Sequence, residues 1–197
     1  MSVQALAALA RRLNREAGAP PVPWLYFFTD PVRTPDLVAI ARTLPAETAV
    51  IYRHFGAPER TRVARQLAAV CRSRRLALLI AADPDLAEGV GAAGVHWPER
   101  KLPPRNDGRF RLVTASAHSC AAVARAETWR ANACILGPVF KTRSESGNAT
   151  LGVFRASQIA RSTTIPVIAL GGVSLNSARK LSGRGFAGVA AIDAFLD

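Results

Sequence analysis

Cysteine is scarce in this 197-residue chain: Cys71, Cys120 and Cys134 are odd in number and far apart. They make neither a disulfide framework nor a C-x-x-C metal pair, which argues against a stapled secreted scaffold and against a zinc module. A reducing cytoplasm is the expected location. No apolar run approaches the ~20 residues needed to span a bilayer, so no membrane partner is expected. Residues 1–10 are apolar, but Arg11 and Arg12 follow them, the reverse of a signal peptide's layout. They read instead as a surface helix with Leu6, Leu9 and Leu13 facing inward. A Walker-type loop is missing, and no glycine-rich dinucleotide turn follows the first candidate strand.

Lysine is nearly absent too. It occurs only at Lys101, Lys141 and Lys180, so the formal charge of +12 is carried by arginine. The arginines are scattered over candidate helices rather than interleaved with aromatic residues, so no specific nucleic-acid partner is expected. Their summed field would steer phosphate-bearing ligands. The densest group surrounds a helix at residues 58–75, with Val63, Leu67, Val70 and Cys71 as its expected inner face.

What the chain does contain is an alternation. Short apolar runs at 24–29, 48–53, 76–81, 94–97, 111–115, 133–136, 166–170 and 187–190 read as strands, several of them apolar throughout. Candidate helices lie at 35–43, 58–75, 84–90, 119–130, 153–161 and 174–182, with loops at 100–108 and 137–150. Strictly alternating strands and helices predict parallel order with right-handed crossovers. The expected fold class is α/β: a compact (β/α)8 barrel at residues 24–197, preceded by an extra N-terminal helix and connection at 1–23.

The last quarter is the most informative stretch. Ile165 to Val173 ends in Gly171-Gly172, and Gly188-Val189-Ala190 follows one helix later. In such barrels the loops after strands seven and eight commonly bind phosphate. Glycine lets backbone N–H groups approach a ligand closely, and Ala191 and Ile192 open a helical turn that attracts an anion.

These pieces come in a recognisable order. Gly94-Val95-His96, Ser116-Ala117-His118-Ser119, Gly137-Pro138-Val139-Phe140-Lys141-Thr142, the 165–173 run and Gly188-Val189-Ala190 together resemble the thiamin phosphate synthase/TenI family of barrels. The resemblance implies a small phosphorylated substrate in thiamin metabolism. The family's synthases join an aminopyrimidine diphosphate to a thiazole phosphate and release pyrophosphate, with Mg²⁺ on carboxylates. Its TenI-type members move a proton on a carboxythiazole phosphate.

Several positions depart from the synthase pattern. Its Gln-x-Arg-x-Lys strand is here Ile51-Tyr52-Arg53-His54-Phe55, keeping only Arg53. The Asn-Asp pair aligns with Ala81-Ala82, and a second Asp with Lys101. Thr-x-Thr-Lys becomes Thr142-Arg143-Ser144-Glu145, and a helix-opening Ser becomes Asp193, which would compete with phosphate for N–H groups. Asp83 or Glu99 could replace the ligands only by a shift in register.

The resemblance then implies His118 as a catalytic acid/base. Arg53, His54, His96 and Lys141 are candidates for substrate binding, and Gly171, Gly172, Thr142, Ser144, Ala191 and Ile192 for phosphate. No cofactor is expected, Mg²⁺ entering only if the synthase reaction survives. A metal-free tautomerase is the leading expectation, ahead of a synthase with substituted ligands and of a non-catalytic ligand-binding barrel. A homo-oligomer is compatible with the sequence.

Overall fold

Eight parallel strands hydrogen-bond in sequence order and close into a barrel, β1 pairing with β8. The computed structural model describes residues 3–34, 36–142 and 150–195. The strands are β1 (Leu25–Phe28), β2 (Ala49–Tyr52), β3 (Ala77–Ala81), β4 (Gly94–Trp97), β5 (Leu112–Ala117), β6 (Ala133–Leu136), β7 (Val167–Leu170) and β8 (Phe186–Ala191). Helix α1 (Val3–Glu16) precedes them. The helices between them are α2 (Leu37–Thr43), α3 (Arg60–Arg74), α4 (Pro84–Gly89), α5 (Cys120–Thr128), α6 (Gly152–Arg161) and α7 (Leu175–Arg179). Short 3-10 turns at Glu99–Lys101 and Asp193–Phe195 follow β4 and β8. The (β/α)8 reading is correct, and no helix among the described residues is long and apolar enough to cross a membrane.

Alternation along each strand divides the apolar residues into two layers. Tyr26, Phe28, Ile51, Leu79, Ile135 and Ile168 fill the barrel interior, with alanines between them. Leu25, Phe27, Val50, Tyr52, Ile80 and Leu136 face outward into the layer beneath the helices. Full burial of one such side chain stabilises by about 1.5–3 kcal/mol. Phe195 closes the outer layer edge-on to Phe27, ring centres 5.1 Å apart.

Two features differ from the sequence reading. The buried face of α3 is Ala64, Leu67, Ala68 and Cys71, while Val63 and Val70 sit at its partly exposed flanks. The alanines let the helix axis approach the strands, which a face led by two valines would hold off. In β8 the register slips: Val167 pairs with Phe186 but Ile168 with Gly188, so Ala187 is an extra residue. Asn14 of α1 donates its side-chain N–H to the Ala187 carbonyl (3.1 Å), tying the N-terminal helix to the bulge.

Candidate active site at the barrel mouth

The C-terminal ends of the strands open into a cleft of about 720 Å³. One wall is built by the segments after β6 and β7. Gly171 has φ 93° and Gly172 φ 62°. A Cβ at Gly171 would lie 2.6 Å from the Pro138 side chain, and one at Gly172 only 2.3 Å from the Lys141 carbonyl. Glycine is thus required twice over, by conformation and by contact. The Gly171 carbonyl accepts from Phe140 N–H (3.0 Å) and the Gly172 carbonyl from the Ser177 hydroxyl (2.9 Å). The Phe140 bond, with that of Val139 N–H to the Leu170 carbonyl (2.8 Å), ties the segment after β6 to the segment after β7, and Lys141 and Thr142 line the same cleft as the glycines. Ala191 and Ile192 line it from the end of β8. Ser144 lies outside the described residues.

The opposite wall carries charge. Asp30, just after β1, accepts from the Val32 and Arg33 N–H groups at 3.1 and 3.0 Å and from the Arg33 guanidinium at 2.9 Å. Burial alone would raise its pKa, but the Arg33 hydrogen bonds and charge outweigh it and hold the carboxyl at about 2. Arg33 reaches on to Asp193 at 3.3 Å, so one guanidinium joins the β1 loop to the β8 turn. Arg53 Nε donates to the Thr29 carbonyl (2.9 Å), its guanidinium lies over Phe28 at 5.1 Å, and Asp30 stands 3.8 Å away. Neither Asp30 nor Arg33 was singled out from sequence. Their signal was Asp30-Pro31 at the end of β1, a capping pattern that reads as a plain loop.

His118 stands at the rim, just past β5, its side chain 56% exposed. Its Nδ1 lies 2.7 Å from Glu99 Oε2, and the same oxygen accepts the His118 backbone N–H at 2.9 Å. Arg125 of α5 approaches the other oxygen at 3.4 Å. Burial tends to raise the Glu99 pKa; the His118 hydrogen bonds and charge, with Arg125, bring it below the ordinary carboxylate value.

Two candidates are placed elsewhere. His96 is buried in the barrel interior, Nδ1 at 2.8 Å from the Thr114 hydroxyl and Nε2 at 2.9 Å from that of Ser116. Burial pushes its pKa down to about 3, so the ring is neutral. His54 leans on Tyr52, ring centres 5.1 Å apart, on the outer side of β2. Neither lines the cleft, whereas Arg53, Lys141, Thr142, His118, Gly171, Gly172, Ala191 and Ile192 do.

A family model described as thiamine monophosphate synthase (TMP-TENI) matches residues 25–195. The chain belongs to this family. A thiamine-phosphate synthase of Prochlorococcus marinus is 30% identical over 155 residues, which cover 76% of this chain and 45% of that protein. The chain therefore spans less than half the length of that relative. A putative thiamine-phosphate synthase 2 of Aquifex aeolicus is 32% identical over 139 residues, 69% of this chain and 75% of that one. Among solved structures, a thiamine phosphate pyrophosphorylase from Pyrococcus furiosus superposes with a TM-score of 0.76 at 25% identity, covering 94% of this chain and 88% of that chain.

Membership in the thiamine monophosphate synthase family raises the question of Mg²⁺, a hard cation that needs oxygen ligands. The residues here do not fit it. Ala81 and Ala82, at the positions that the family resemblance assigns to an Asn-Asp pair, offer only methyl groups. Lys101 Nζ lies 4.6 Å from the centre of the Phe55 ring, and the Arg60 guanidinium shares that ring at 5.4 Å. Asp83 is already engaged: it caps α4 through Leu86 N–H (3.0 Å) and faces Arg60 at 3.6 Å. Glu99 is held by His118 and Arg125. Lys101 and Arg60 thus bring two cations to the Phe55 ring, just past the end of β2.

Proposed function

We propose that this member of the thiamine monophosphate synthase/TenI family binds a thiazole phosphate, or a similar small phosphorylated heterocycle, in the mouth cleft and shifts a proton on it. The phosphate rests against Gly171 and Gly172 and the opening of the turn at Ala191 and Ile192, with Thr142 and Lys141 adding donors. Arg53, held against Phe28 and reaching into the cleft, pairs with a substrate carboxylate. His118 takes a proton from a ring carbon, the C–H electrons move into the ring's conjugation, and the imidazolium returns the proton at a second atom. The product is an isomer, with no atom gained or lost and no metal in the step.

The observation that carries this reading is the coincidence of two things. A histidine backed by a carboxylate stands at the cleft rim, while the synthase ligand positions hold alanine and lysine. The test is conversion of a carboxythiazole phosphate tautomer by the purified chain in the presence of a chelator. We expect turnover that is lost in His118→Ala; conversion that persists unchanged in that variant refutes the assignment. The relatives' names favour the second reading, transfer between aminopyrimidine diphosphate and thiazole phosphate. Thiamin phosphate formed at an ordinary enzymatic rate with Mg²⁺ would establish it in place of ours.

A further inference from the structure

Histidine at a rim is a weak base unless something fixes its ring and chooses which nitrogen carries the proton. Here the side chain is more than half exposed, so packing alone leaves the ring free to rotate. The restraint comes from Glu99. One carboxylate oxygen bonds both the ring Nδ1 (2.7 Å) and the backbone N–H (2.9 Å) of the same residue. Such a two-point grip ties the ring to its own main chain. Arg125 steadies the second oxygen at 3.4 Å.

We infer that Glu99 is the positioning residue for His118, holding it as the Nδ1–H tautomer with the Nε2 lone pair left to act as the base. This rests on the proposed proton transfer for its purpose, though not for its geometry. A carboxylate is acceptor only, so the nitrogen facing it has to be the protonated one. The other nitrogen is then the one with a lone pair, and it belongs to the edge of the ring turned away from Glu99. Glu99 is placed for this by the barrel's own register. Trp97, the last residue of β4, pairs with Ala115 of β5; the 3-10 turn Glu99–Lys101 that follows β4 brings Glu99 to His118, the first residue past β5.

The grip also explains why Glu99 is held ionised. A protonated Glu99 would present a hydroxyl and could no longer dictate the tautomer. The groups that face it are His118 from the end of β5 and Arg125 from α5, with the Cys134 thiol of β6 feeling its charge. None of these supplies a competing proton donor to Oε2 besides the two His118 N–H groups.

The experiment compares wild type with Glu99→Gln, using imidazole ¹⁵N spectra of the ligand-free protein in mildly alkaline solution and steady-state kinetics on the carboxythiazole phosphate. Wild type is expected to show His118 with a protonated Nδ1 and an unprotonated Nε2. In Glu99→Gln, whose amide can either donate or accept, that preference is lost, and kcat falls roughly 10–100-fold, as when the partner orienting a functional histidine is removed, while KM changes little. Arg125→Ala should weaken the preference less. An unchanged tautomer ratio in Glu99→Gln overturns the inference, as does a variant that alters KM alone. If the tautomer changes as expected but wild type turns over no carboxythiazole phosphate, the positioning role stands and the proposed reaction falls.

Discussion

Replacing Asp193 by Asn should tighten the binding of phosphate in the cleft by about tenfold. Asp193 lines the same cleft as Gly171 and Gly172, and its charge opposes any anion that settles against them. Unit charges about 4 Å apart interact by about 1 kcal/mol in water and about 4 kcal/mol near a protein surface. The Asp193 side chain is 40% exposed, so solvent and salt hold its effect near the lower figure. A second contribution has the same sign. Arg33 is shared between Asp30 and Asp193, and removing one carboxylate leaves more of its positive field for the ligand. Together these give about 1.4 kcal/mol, or a factor of about ten in Kd. The fold should survive, because an exposed ion pair such as Arg33–Asp193 contributes only about 0–1 kcal/mol. Calorimetric titration with inorganic phosphate at low ionic strength reads the effect, which should shrink as salt is added. A gain below twofold, or a loss of affinity, would mean that phosphate does not sit against Gly171 and Gly172 as we propose.

Three other outcomes are expected. Asp30→Asn should lower stability by about 2 kcal/mol near neutral pH, since a carboxyl held at about 2 against an ordinary 3.8 favours the folded state above the unfolded value. That advantage is complete above about pH 5 and disappears as pH falls through 2, so urea titrations of wild type and variant should converge on acidification. His96 acts in the same direction for a different reason. Its ring is neutral when folded, with a pKa pushed down to about 3, so the unfolded chain binds the extra proton between about pH 6.5 and 3. His96→Gln should therefore flatten the fall in stability over that window, and an unchanged slope would show that the buried ring is not its source. Gly172→Ala should cost about 1–3 kcal/mol and weaken phosphate binding, because the new Cβ meets the Lys141 carbonyl at 2.3 Å and the backbone is held at φ 62°; denaturant midpoints and the same calorimetry check both.

The fold was legible because the barrel writes itself locally. Most strands are short apolar runs, and several helices begin at a turn residue; Asp83, Ser119 and Ser174 all cap their helices as the pattern requires. The face of α3 was only half legible, Leu67 and Cys71 being buried as expected and Val63 and Val70 not, and the reason is physical. Val63, Ala64, Leu67, Ala68, Val70 and Cys71 form one broad apolar arc, and periodicity cannot say which part of it the barrel will take. The choice falls to packing distance, which favours the alanines. The β8 bulge was hidden for a similar reason, since an extra small residue in a Gly-Phe-Ala-Gly run changes no composition.

At the site, the residues that one strand or one loop positions were readable, and those that depend on a neighbouring strand were not. Gly171 and Gly172 announce themselves by type. Strand parity, applied strictly, also separates Arg53 from its neighbours: Ile51 points inward, so Arg53 does too, while Tyr52 and His54 face out. The same rule turns His96 inward beside Thr114 and Ser116, where two hydroxyls and not a ligand satisfy it. Glu99 and His118, nineteen residues apart, meet only because β4 and β5 are adjacent and in register. A carboxylate such as Glu99 suggests a metal ligand by type, but its position just beyond Trp97 brings it to His118 at the end of β5. With its carboxylate engaged by His118 and Arg125, Glu99 serves the proton transfer we propose rather than a cation.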